Sequence, residues 1–197
     1  MKLKNKLINK LKNILFRYFL SPSRSIISRN EYISLIKLID KPNKILNVGS
    51  STESVLGYKF WKYLEGEYKL INLDICPGEN IDIVCDAAEM PFSDGSFDLV
   101  VCQAVLEHVE NPKKVVSEIK RVLKGKGLFY CTVPFLQGFH ADPYDYQRFT
   151  MVGMRKLLSE YEIIKEGISS GPFSAIAWII RDILTFGRKG SLTYNIS

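Results

Sequence analysis

The chain has 197 residues, 46% of them hydrophobic and 24% charged, with 13 Gly and 8 Pro. That length suits one compact domain, and the composition excludes disorder, collagen and a whole-chain coiled coil. The net charge is +6, but residues 1–24 carry seven basic side chains and no acid, and the rest holds 20 basic and 21 acidic groups. The body is therefore neutral, and a general nucleic-acid-binding surface has no support.

At the N-terminus, Leu3, Leu7, Leu11, Ile14, Leu15, Tyr18 and Phe19 recur at steps of three and four, with lysines between them, until Pro22. This periodicity predicts a basic amphipathic helix. Such a helix either lies in an anionic membrane surface or docks on the protein's own core or a partner. A second amphipathic helix is expected over Arg29–Asp40, closed by Lys41 and Pro42. Residues 1–41 are read as a helical N-terminal segment and residues 42–197 as the main domain. The longest apolar runs, Ile14–Leu20 and Phe173–Ile180, fall short of the roughly 20 residues that span a bilayer. No small-residue cleavage site follows the first of them. The expected location is cytoplasmic, with peripheral membrane contact through residues 1–20 as the membrane reading of that helix.

From residue 44 the pattern alternates strands with helices. Lys44–Val48, Tyr68–Leu73, Ile81–Cys85, Phe97–Cys102 and Gly127–Val133 are near-continuous apolar runs, as strands covered on both faces require. Pro112–Lys124 reads as a helix, with Asn111 as N-cap, Pro112 at the first position and Gly125 as a left-handed cap. A further helix is expected from about Thr150 to Ser159, then a strand-like Tyr161–Ile168 and an apolar helix Phe173–Phe186. Only Ser191–Ile196 remains for a last strand, so the sheet either lacks one or uses that tail as an edge. The fold class is α/β, a doubly wound, mostly parallel sheet.

Cys76, Cys85, Cys102 and Cys131 show no CxxC pair, and the last three lie in apolar strand-like runs. They read as small buried hydrophobes in a reducing compartment. No metal-ligand spacing is evident.

Ligands of such sheets sit outside the carboxyl ends of the strands, where strand order reverses. The residues expected there are Asn47–Glu53, Asp74, Asp86, Gln103–His108 and Pro134–Phe149. Ile45-Leu46-Asn47-Val48-Gly49-Ser50-Ser51, Leu73-Asp74, Asp86-Ala87-Ala88-Glu89-Met90-Pro91-Phe92 and Ser96–Val109, which contains Leu106-Glu107-His108, follow one another in that order. In order and spacing this resembles class I S-adenosylmethionine-dependent methyltransferases, over about residues 44–134.

The resemblance implies a Rossmann-like methyltransferase fold, S-adenosylmethionine as cofactor and methyl transfer as activity. It implies that Asn47, Gly49 and Ser51 form the turn at the methionine end, with turn N–H groups facing the cofactor. Asp74 would hold the ribose hydroxyls, Asp86 the adenine amino group, Ile75 and Ala87 would cover the ring, and Gln103 would lie beside the sulfonium. The usual acid of the first motif is Asn47 here, and two usual glycines are Ser51 and Glu53. These departures favour the other reading, a catalytically silent module acting as a membrane-associated assembly component. A nicotinamide dehydrogenase does not suit the glycine pattern. Asp98 is expected to be structural.

After the fifth strand runs His140-Ala141-Asp142-Pro143-Tyr144-Asp145-Tyr146-Gln147-Arg148-Phe149-Thr150. This string resembles a methyltransferase subgroup linked to glycan or surface-polysaccharide assembly, and it implies a small-molecule or glycan-like acceptor. His140 is the candidate general base, oriented by Asp142, and His108 is its competitor. His108, Tyr144, Tyr146 and Arg148 are candidates for holding the acceptor. The loop also has a purely structural reading, in which Asp145 pairs with Arg148 and the aromatic rings pack down.

Overall fold

A computed structural model describes residues 38–39, 43–50, 68–141, 143–168 and 172–185. The expectations for residues 1–37, Ser51, Glu53, Asp142 and Ser191–Ile196 lie outside the described residues. Among those described, residues 38–135 and 139–166 belong to one compact unit, and residues 136–138 and those from 167 onward to another.

The larger unit is built on five parallel strands: β1 (Lys44–Val48), β2 (Lys69–Asp74), β3 (Ile83–Val84), β4 (Phe97–Gln103) and β5 (Leu123–Thr132). Their order in the sheet is β3-β2-β1-β4-β5. The chain grows outward from β1 on one side, then returns to β1's other edge with β4. Leu46 thus has Ile71 of β2 on one side and Val100 of β4 on the other.

Alternating side chains feed two apolar layers. Leu46, Val48, Leu73, Val100 and Cys102 are buried on one face with Phe97, Leu106 and helix α1 (Pro112–Val122). Ile45, Leu99 and Val101 are buried on the other, with Tyr68, Leu70, Leu128 and Tyr130 against them. A strand buried on both faces must be apolar at successive positions, and the middle of β4 is: Leu99–Cys102 are all buried, with Phe97 before them.

Helix α1 starts as expected. Asn111 Oδ1 accepts the Lys114 N–H at 3.1 Å, Pro112 opens the first turn, and Val115, Val116, Ile119 and Val122 form the buried stripe. Its end differs from expectation. The helix stops at Val122, Leu123 is extended, and Gly125 has no positive φ, so it is no left-handed cap. Leu123 is buried opposite Phe97, and that pairing draws it into β5 at once.

Two polar devices fix the loops. Asp98 Oδ2 accepts the N–H groups of Asn43 and Lys44 at 3.1 and 3.0 Å, which makes it the expected structural residue at the strand start. Arg121, on α1, donates to the carbonyls of Phe92 and Met90 at 2.6 and 3.0 Å and to Glu118 and Asp94. Glu118 in turn accepts the Met90 N–H at 3.0 Å. Together they clamp the segment that follows Asp86 onto α1.

Helix α2 (Met151–Leu157) is capped by Thr150, whose hydroxyl accepts the Gly153 N–H at 3.0 Å. The expected strand at Tyr161–Ile168 does not form: residues 162–168 have no regular structure, and Ile163, Ile164 and Ile168 are exposed. The Tyr161 ring packs on Phe129 and its hydroxyl donates to the Val116 carbonyl at 2.8 Å, which turns the chain over α1. In the smaller unit, helix α3 spans Pro172–Thr185. Among the described residues no helix is long and apolar enough to cross a membrane.

Arg121→Met keeps the aliphatic stem and removes the fork that clamps the loop. It should lower stability by about 1–3 kcal/mol, the range for hydrogen bonds to charged groups. Urea denaturation checks this, and an unchanged midpoint would mean that the clamp carries no net stability.

Candidate active site at the strand carboxyl ends

The turn after β1 is a left-handed one. Gly49 has φ +72°, and a Cβ there would run into Val105 Cγ2. Glycine therefore lets the β1 turn press directly against the segment after β4. The N–H groups of Gly49 and Ser50 both donate to the Leu73 carbonyl, at 2.8 and 3.2 Å. This corrects the expectation that the N–H groups of this turn face a ligand: those two extend the sheet ladder instead. The Asn47 amide donates to Asn72 Oδ1 at 3.0 Å, and Ser50 Oγ reaches the Asn47 carbonyl at 2.9 Å. Asn47 thus ties β1 to β2 below the turn.

Asp74 ends β2, with Oδ1 accepting the Cys76 N–H at 2.9 Å. Its carbonyl accepts the Cys85 N–H at 3.0 Å, which brings the β3 end beside it. Asp86 follows, accepting the Ala88 N–H on Oδ1 at 2.8 Å. Both are turn-forming carboxylates at neighbouring strand ends. Ile75 beside Asp74 is 54% exposed, whereas Ala87 is buried. An exposed isoleucine at that point offers an apolar face to a ligand.

Beyond Gln103, at the end of β4, Ala104 is held at φ 54°, a left-handed conformation that costs a non-glycine residue about 1 kcal/mol or more. The strained turn leads into a single 3-10 turn, Leu106–His108. The loop after β5 is stapled onto it. The Tyr146 N–H donates to the Glu107 carbonyl at 2.8 Å, and Gln147 Nε2 donates to the Val109 carbonyl at 3.2 Å.

This staple gathers a polar cluster. The His108 and His140 rings meet edge to face with centroids 4.9 Å apart. Each presents Nε2 at 3.8 Å from Glu107 Oε1. The Glu107 side chain is 0% exposed, and neither carboxylate oxygen has a hydrogen-bond partner. Burial pushes its carboxyl above the usual range. Asp145, by contrast, is held down to about 2 by the Arg148 guanidinium. Arg148 donates to both Asp145 oxygens and to the Gln147 carbonyl, and its Nη2 lies 3.3 Å from His140 Nδ1.

Arg148, expected to hold an acceptor, has its fork engaged with its own loop, and the Asp145–Arg148 pair is the one the structural reading of that loop gives. Tyr144 and Tyr146 remain exposed, their ring centroids 5.7 Å apart. Asp142, expected to orient His140, lies outside the described residues. The carboxylate placed on His140 is Asp145, whose Oδ2 accepts the His140 backbone N–H at 2.8 Å.

Residues 46–131 match a family model described as a methyltransferase domain. Over these residues, a little under half of the chain, the protein is similar to that family. A demethylmenaquinone methyltransferase of Geobacillus stearothermophilus is 35% identical over 94 residues, which cover 44% of this chain and 40% of that protein. An uncharacterized protein of Methanocaldococcus jannaschii is 47% identical over 45 residues, 23% of this chain and 22% of that protein. The chain therefore spans two fifths or less of the length of these relatives. In fold, the chain is similar to a Burkholderia thailandensis 1,6-didemethyltoxoflavin-N1-methyltransferase solved with S-adenosylhomocysteine. The TM-score is 0.52 at 16% identity, covering 69% of this chain and 67% of that one. At that identity the likeness concerns the Rossmann-like fold alone.

The larger unit brings Gly49, Asp74, Asp86, Ala87 and Gln103 to one end of its sheet, and His108 and His140 into contact. Sequence reasoning missed Glu107 as more than a polar residue opening a helix. The signal available was a carboxylate directly following Leu106, at a point where the chain turns inward.

Glu107 yields a pH-dependent prediction. Its folded-state pKa is raised, so the cost of burying its charge is absent below the unfolded carboxyl value of about 4.3 and develops as pH rises through the folded value. Glu107→Gln should raise Tm at pH 8, with the gain vanishing below about pH 4. Melting curves across pH test it, and a variant less stable at pH 8 would mean that the charge is compensated.

Proposed function

We propose that this chain transfers a methyl group from S-adenosylmethionine to a polar small-molecule or glycan-like acceptor. The observation that carries the reading is the placing of Asp74 and Asp86 at adjacent strand ends within the segment similar to the methyltransferase family, on the β2–β3 side of the β1–β4 reversal. In this reading Asp74 accepts from the ribose hydroxyls, and Asp86 accepts from the adenine amino group. Ile75 covers the ring, and Gln103 stands beside the sulfonium. Ala87, expected beside Ile75 against the ring, is buried.

Methyl transfer is an in-line displacement at carbon, so holding the acceptor atom opposite the sulfur supplies much of the acceleration. The exposed rings of Tyr144 and Tyr146 offer flat, amphipathic faces for an acceptor ring. The acceptor's proton must leave, and in this reading the Glu107–His108–His140 cluster supplies the groups suited to receive it, with His140 as base.

Calorimetric titration of S-adenosylmethionine into the full chain tests the proposal. Saturable 1:1 binding is expected, and Asp74→Ala should weaken it by roughly 1–3 kcal/mol, a factor of about 5–150. Absence of binding by the parent chain, or no change in the variant, would remove the cofactor reading.

A further inference from the structure

We propose that Glu107, His108 and His140 form a binding site for one divalent transition-metal cation, with zinc as the class the donor set suits. One donor atom from each residue lies within 4.8 Å of the other two. Both imidazole Nε2 atoms stand 3.8 Å from the same carboxylate oxygen. Bonds of about 2.1 Å in a tetrahedral site set donors roughly 3.4 Å apart, so ordinary side-chain adjustment closes the gap. Two imidazoles and a carboxylate are a metal-binding set that leaves positions open for a further ligand.

The independent observation is the carboxylate itself. Glu107 is fully buried, and both its oxygens lack a hydrogen-bond partner while Oε1 faces the two histidines. A buried, unpartnered carboxylate is costly unless something pairs it, and a cation between these donors does so.

The groups around the site are arranged for it. His108 Nδ1 meets the Tyr144 carbonyl, which only accepts, so Nδ1 carries the proton and Nε2 presents its lone pair to Glu107. This is the outer-shell hydrogen bond that fixes a ligating imidazole. On His140 the guanidinium of Arg148 donates to Nδ1 at 3.3 Å, so Nε2 carries the proton there. Loading the cation requires the other tautomer, and Asp145 Oδ2, 3.9 Å from Nδ1, is placed to take the N–H. Asp145 also neutralises Arg148, which removes most of its repulsion of a cation.

Within the methyl-transfer reading, a cation here would replace His140 as the means of proton removal: it would take an acceptor hydroxyl as an open-position ligand and release its proton to solvent. The alkoxide would then form the new C–O bond as the C–S bond of the sulfonium breaks to leave a neutral thioether. The metal site itself stands independently of that reading.

The experiment uses the full chain, stripped with chelator and titrated with Co²⁺, a spectroscopic stand-in for zinc, with melting curves alongside. Expected are one equivalent of Co²⁺ bound, d–d absorption without thiolate charge transfer, and a raised Tm. Glu107→Gln and His140→Ala should each weaken binding by more than about tenfold. Apo melting curves of both variants are recorded alongside, so that loss of metal response is told apart from loss of fold. No stoichiometric binding, a thiolate charge-transfer band, or binding unaffected by both variants would overturn the proposal. Asp74→Ala should keep Co²⁺ binding intact, so that failure of the cofactor reading and failure of the metal site appear as different results.

Discussion

The close approach of Gly49 to Val105 is the constraint on which the rest depends. It joins the turn after β1 to the turn after β4, the two strands between which the sheet reverses direction of growth. Any side chain at residue 49 would separate them. Because the turns touch, Gln103 stands beside the β1 turn, and Ala104 accepts a left-handed conformation to continue the chain. The 3-10 turn that follows then buries Glu107 where the loop after β5 can close on it. The contact between these two strand ends thus lies between the proposed cofactor residues and the histidine cluster.

Polar hydrogen bonds do the remaining positioning. Arg121 and Glu118 hold the segment behind Asp86 against α1, while Gln147 and Tyr146 hold the long loop against Glu107 and Val109. The interior itself stays apolar. Cys102 and Cys131 are free thiols there, and burial pushes the Cys131 thiol up to about 11, so it behaves as packing and not as a nucleophile. Glu107 is the exception to this chemistry. A carboxylate with no partner in such a core marks a place where the fold tolerates a stability cost.

The strands were legible because burial on both faces forces continuous apolar runs, and β1, β2, β4 and β5 carry them. Asn111-Pro112 announced α1 because a cap and a proline act locally. What stayed hidden was set by contacts distant in sequence. Leu123 leaves the helix to pair with Phe97, and Tyr161 abandons an apparent strand to bond Val116. The Asp145–Arg148 pair could be read from their spacing, whereas the meeting of Glu107 with His140 could not, since it needs the loop closed over the 3-10 turn. Asn47 and the Gly49 amide looked like ligand contacts, and the sheet uses them for its own hydrogen bonds.

The central claim is that the carboxyl ends of β1, β2, β3 and β4 hold S-adenosylmethionine at the strand-order reversal. Backbone amide chemical shifts of the isotope-labelled full chain, titrated with S-adenosylhomocysteine, address it most directly. The account predicts saturable perturbations concentrated at Gly49, Asp74–Cys76, Asp86–Ala88 and Gln103–Val105, with the amides of α1 little affected. Perturbations centred away from these strand ends, or none at a saturating concentration of the nucleoside, would contradict it.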